Sequence, residues 1–148
     1  MKEITVGGKD YKLEFTFDAA EDKALVQRMF NFMSGAYILK GGKNMAQAVL
    51  DGTSDMISDI ASTCVVAIHA GCLANNSVSM DEAKKLTRGY IKENNSNYRK
   101  LFEEIKTWME EDGFFDLSGI NDMLSEMNKS IEEQVENNKK SKKSTGTK

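Results

Sequence analysis

Few residues in this chain of 148 have the type and spacing for chemistry. Gly41-Gly42-Lys43-Asn44 contains part of a phosphate-binding loop. That loop needs a glycine separated by four residues from its Gly-Lys pair and a Ser or Thr after the lysine, to build an amide cradle and hold magnesium. Here those positions hold Tyr37 and Asn44, so neither part is present. Cys64 and Cys72 lie eight residues apart in one predicted helix, which separates their Cα atoms by roughly 12 Å. A disulfide spans about 4.4–6.8 Å, so the two are expected to be buried thiols acting as small apolar groups. His69 is the single histidine and no Cys-x-x-Cys pair occurs, which leaves no metal-ligand set. Within a helix, His69 is expected to be a satisfied core or boundary residue with no nucleophile beside it. Glu103-Glu104 and Glu110-Glu111 are adjacent in a helical pattern, so their carboxylates diverge onto a solvated face. With no Gly-x-Ser-x-Gly elbow and no His-Glu-x-x-His pair, the expectation is a non-enzymatic binding protein without cofactor or metal.

Composition supports a packed chain. With 40% hydrophobic and 29% charged residues, it has the balance of a globular protein and the length of one domain. No apolar run reaches about 18 residues, the length of a membrane span, and no secretory leader is recognisable, so a cytoplasmic location is expected. Charge is unevenly spread. Between Leu101 and Asn137 there are eleven acids against Lys106 and Lys129, whereas the last ten residues carry five lysines. An acidic body repels phosphate backbones. Nucleic acid is therefore disfavoured as the main partner, and the lysine tail is expected to be solvated and disordered.

The elements that would position a binding surface start with a hairpin. Ile4, Val6, Tyr11, Leu13, Phe15 and Phe17 alternate with polar residues around Gly7-Gly8, the pattern of two antiparallel strands with one buried face. Asp18-x-x-Glu21 has capping-box spacing before a helix carrying Leu25, Met29, Phe30, Phe32 and Met33, expected to end near Gly35. A glycine-rich loop to Asn44 and a short helix over Met45, Ala48 and Val49 follow, the latter interrupted at Asp51-Gly52. Apolar residues from Met56 to Cys72 recur at helical spacing and predict a central buried helix, with small residues for close helix approach. Ser79-x-x-Glu82 is a second capping box. Tyr98, Leu101, Phe102, Ile105, Trp108 and Met109 mark one side of a further helix, with Gly113 as its terminator.

Phe114 and Phe115 then stand together in a short acidic linker, so one of them is expected to be exposed or used by a partner. Ser118 is placed to cap a last helix with a narrow stripe of Ile120, Met123, Leu124, Met127, Ile131 and Val135. Such a stripe suits a single seam against the domain, another copy or a separate protein. The candidate partner-binding residues are Phe114, Phe115, Met123, Met127 and Ile131. The expected fold is mainly α (α+β): an N-terminal β-hairpin and a compact helical domain of about five helices. Residues 1–137 form one domain, divided into hairpin (1–17), helical core (18–113) and amphipathic C-terminal helix (114–137), ahead of a disordered Lys-rich tail (138–148).

The opening Ile4, Val6, Gly8, Lys9, Tyr11, Leu13 and Phe15 resembles the start of the tail assembly chaperones of long-tailed bacteriophages, whose members often begin with a hairpin of this form before a small helical domain. The resemblance covers about the first tenth of the chain. It implies a non-catalytic protein of the infected host cytoplasm, absent from the mature virion, that holds the tape measure protein, helps recruit tail tube protein around it and self-associates along it. Many members also occur in a longer form made by ribosomal frameshifting, and Lys139-Lys140-Ser141-Lys142-Lys143 is compatible with an A-rich slippery stretch. The central and C-terminal helices do not map onto the family residue by residue. The rival expectation is a small acidic helical adaptor or regulator that binds a host protein.

Overall fold

A computed structural model describes the backbone of residues 1–34 and 45–145 and the side chains of residues 1–34 and 56–139. The loop expected between Gly35 and Asn44 lies outside the described residues. The chain opens with strands β1 (Lys2–Val6) and β2 (Lys9–Leu13), paired antiparallel with Ile4 opposite Tyr11 and Val6 opposite Lys9. Gly7 and Gly8 have φ of +59° and +76°, the double left-handed requirement of a tight hairpin turn whose twist matches its strands. Alternation then sets Ile4, Val6, Tyr11 and Leu13 on one face. Ile4 and Leu13 are buried there, and Val6 and Tyr11 pack at the margin of the same core.

The outer edge of β2 is closed by a helix end. Lys12 N–H donates to Asn76 Oδ1 at 2.9 Å, and Glu14 N–H donates to the Gly71 carbonyl at 2.8 Å. The Gly71 carbonyl belongs to the last turn of a helix, where carbonyls lack intrahelical donors, so strand edge and helix end satisfy each other.

A one-turn helix, α1 (Phe17–Ala20), leads into α2 (Lys23–Ser34). The capping box expected at Asp18 and Glu21 does not form. Asp18 already lies inside α1, and α1 has no side-chain cap, because a capping residue must be non-helical. Asp22 acts instead, its Oδ1 accepting from the Leu25 N–H at 3.0 Å. The long helix α3 (Met45–Cys72, 28 residues) runs through Asp51-Gly52 without the expected interruption. A single helical glycine costs about 1 kcal/mol, too little to break a helix whose C-terminal half is held in the core by Ile60, Cys64, Ala67, Ile68 and Cys72.

Two further helices pack on α3: α4 (Met80–Glu93) and α5 (Tyr98–Glu111). The Ser79–Glu82 capping box is fully formed, with the Glu82 N–H donating to Ser79 Oγ at 3.1 Å and the Ser79 N–H to Glu82 Oε2 at 3.3 Å. Asn97 caps α5 by accepting from the Lys100 N–H at 2.9 Å. The predicted stripe of α5 is its buried face, Trp108 included. Gly113, with φ of +75°, ends that helix as expected. A one-turn helix, α6 (Phe114–Leu117), and a second left-handed glycine, Gly119, then redirect the chain into α7 (Ile120–Thr145, 26 residues).

The architecture is thus mainly α behind an N-terminal hairpin, with seven helices among the described residues, five of them longer than two turns. The helical backbone passes the expected boundary at Asn137 and continues to Thr145. No glycine or proline falls between Ile120 and Thr145, and lysines near a helix C-terminus oppose the dipole's negative end. No helix among the described residues is long and apolar enough to cross a membrane.

Candidate protein-binding groove

Two of the five predicted contact residues are not available to a partner. Phe114 and Phe115 are 0% and 4% exposed, which corrects the expectation that one of them faces outward. Consecutive residues of a helix diverge by about 100°, and α6 sits in a corner between α1, α5 and α7. Both rings therefore reach packed surroundings, with their centroids 5.4 Å apart and edge to face. Nearby, Asp112 anchors the same corner. Its Oδ2 accepts from the Phe15 N–H at 3.0 Å, and its Oδ1 accepts from the Met1 amino group.

The other three lie on α7 and share a surface. Ile120 is buried and Leu124 and Met127 are half-buried, whereas Met123, Ile131 and Val135 are 51%, 54% and 46% exposed. Among the described residues, α7 is seated on α6 and α2 near its start, and every residue from Asn128 to Lys139 is exposed. Sequence pattern found this stripe but not its opposite wall. Val26, Gln27, Phe30 and Asn31 of α2 face Ser118, Gly119, Ile120 and Met123 across a hollow of about 520 Å³. Val26 and Phe30 each follow, by one residue, the fully buried Leu25 and Met29. The only signal for them was that the apolar set on α2 is too wide for one face. Further along α7, Met123, Glu126, Met127, Ser130, Ile131 and Gln134 line a second hollow of about 350 Å³. Met123 belongs to both hollows.

The chemistry available is apolar contact with a polar rim. Val26, Phe30, Ile120, Met123, Met127 and Ile131 offer branched, aromatic and thioether surface, and thioethers adapt to varied partners. Gln27, Asn31, Ser118, Ser130 and Gln134 supply neutral donors and acceptors. Glu126 lines the second hollow, and α7 also carries exposed Asp122, Glu132, Glu133 and Glu136 against Lys129 alone between Ile120 and Asn137. The sign of the local field is negative.

The thiols and the imidazole lie elsewhere. Cys64 and Cys72 are free and buried, and burial pushes their pKa up to about 12 and about 11. Such thiols are poor nucleophiles, since the thiolate is the reactive form. Cys64 Sγ donates weakly to the Tyr98 carbonyl at 3.4 Å. His69 is half-buried, but its Nδ1 is buried with no hydrogen-bond partner among the described residues, so the expected satisfied histidine is only partly realised. Burial, and then the acceptor Glu104 Oε2 at 2.7 Å, raises the Tyr90 phenol to about 12. Among the described residues no three His, Cys, Asp or Glu side chains gather as a metal site. Compared with protein-family models, curated proteins and solved structures, the chain finds no match.

Proposed function

We propose that this chain is a tail assembly chaperone of a long-tailed bacteriophage, a non-catalytic holder of the tape measure protein that promotes tail tube assembly in the host cytoplasm. The observation that carries the reading is the apolar stripe of α7. Met123, Ile131 and Val135 stay about half exposed on a helix whose residues from Asn128 to Lys139 are all exposed. Exposed apolar surface of this kind, rimmed by polar groups, marks a protein-binding site. The hairpin resemblance supplies the family, and the acidic flank of α7 keeps a sticky surface soluble and limits nonspecific association. Copies lining a long helical client would each engage a successive segment.

The test is co-expression of the chain with the tape measure protein encoded by the same phage. The triple substitution Met123→Ser, Met127→Ser and Ile131→Ser is expected to abolish co-purification while the circular dichroism spectrum is retained. Unchanged co-purification and oligomer size in a folded triple variant would refute the seam as the client site. A gene position beside repressors or defence systems, with no tail genes nearby, would favour the adaptor reading instead.

A further inference from the structure

We infer that the trough between α2 and α7 seats an amphipathic helix whose polar face is cationic. This rests on the client-holding reading above and names the client's chemistry. The first support is shape. The two hollows share Met123, so the surface continues along α7 from Ile120 to Gln134, about 21 Å at 1.5 Å per residue, with α2 as its opposite wall beside Ile120 and Met123. That length is four turns of a docked helix, whose apolar residues at i, i+3, i+4 and i+7 would fall on Phe30, Met123, Met127 and Ile131. The second support is charge. Glu126 lines the second hollow, and α7 as a whole carries five exposed carboxylates against one ammonium group between Ile120 and Asn137, so the local field attracts a lysine- or arginine-faced helix and repels a glutamate-faced one. The same count disfavours a second copy as the occupant, because paired α7 segments over this stretch would bring like charges together.

The experiment uses the full chain and two labelled 18-residue helical peptides with the same leucine seam, one with a lysine polar face and one with a glutamate polar face. Fluorescence anisotropy is expected to show the lysine-faced peptide binding at least tenfold more tightly, with affinity falling as salt screens the rim. Met123→Ser and Ile131→Ser, both at exposed positions, are each expected to weaken it several-fold with an unchanged circular dichroism spectrum. Equal binding of the two peptides, or no effect of either substitution, would overturn the inference. So would sedimentation showing that these substitutions dissociate an oligomer of a chain that binds neither peptide, because the occupant is then a second copy. The two readings fail separately. If the tape measure protein is held equally well by both groove variants, the seat is wrong and the chaperone function stands. Should the wild-type chain ignore the tape measure protein yet bind the lysine-faced peptide through Met123, the seat stands and the family reading falls.

Discussion

Replacing Gly71 by alanine asks whether the hairpin is truly clamped onto the end of α3. A Cβ built on Gly71 would lie 2.9 Å from Phe15 Cζ, 3.1 Å from Phe15 Cε1 and 3.4 Å from Leu13 Cδ2. Carbon atoms in good contact sit about 3.5–4.0 Å apart, so the ring must retreat by roughly half an ångström or more. It has nowhere easy to go, since Phe15 and Leu13 are both fully buried and the Glu14 N–H between them is bonded to the Gly71 carbonyl at 2.8 Å. Overpacking of this kind costs about 1–3 kcal/mol, while alanine for glycine in a helix returns up to about 1 kcal/mol. Gly71→Ala is therefore expected to destabilise by about 1 kcal/mol net. In a Phe15→Leu background, where the ring's far end is gone, the same substitution should turn neutral or stabilising. Urea unfolding followed by far-ultraviolet circular dichroism and by the fluorescence of buried Trp108 measures both. A rise in the urea midpoint for Gly71→Ala in the otherwise native chain would refute the clamp.

Phe114→Ala is expected to cost about 3–5 kcal/mol, the range for an aromatic removed from a core; a loss within about 0.5 kcal/mol, usual for a surface site, would show that the ring is not buried. The raised thiols and phenol give a pH test. The folded pKa values of Cys64, Cys72 and Tyr90 are about 12, 11 and 12, above the ordinary 9.0 for cysteine and 10.0 for tyrosine. The unfolded chain therefore loses these protons first, and their share of stability is complete below pH 9 and declines as the pH rises from about 9 toward 12. Cys64→Ala should flatten that decline in urea midpoint above pH 9, and an unchanged slope would contradict it.

How far the sequence could be followed depended on whether a signal was local. The hairpin was legible because strict alternation meets two glycines where the turn needs positive φ, and the Ser79 cap because its box spans four residues. Asp18 misled for the same reason that Ser79 did not: both carry the spacing, but only Ser79 has the extended backbone of a cap. Gly52 was overruled by tertiary burial of the rest of α3. The adjacent phenylalanines looked incompatible with one face because their burial uses more than one neighbouring element. The stripe of α7 is periodic and could be seen in advance. Its opposite wall on α2 could not, since Val26 and Phe30 become a surface only through the way the two helices cross.

The far part of α7 has a consequence of its own. From Asn128 to Lys139 every residue is exposed, so each turn there leans on backbone hydrogen bonds and intrinsic propensity, a marginal balance for a helix with little packing. A partner that docks on Ile131 and Val135 must first find those turns formed. Its grip then depends partly on how readily the free helix persists, and the sequence on the solvent side becomes a control on affinity. Asn128, Ser130 and Asn137, poor helix formers compared with alanine, set that control from positions outside the apolar stripe.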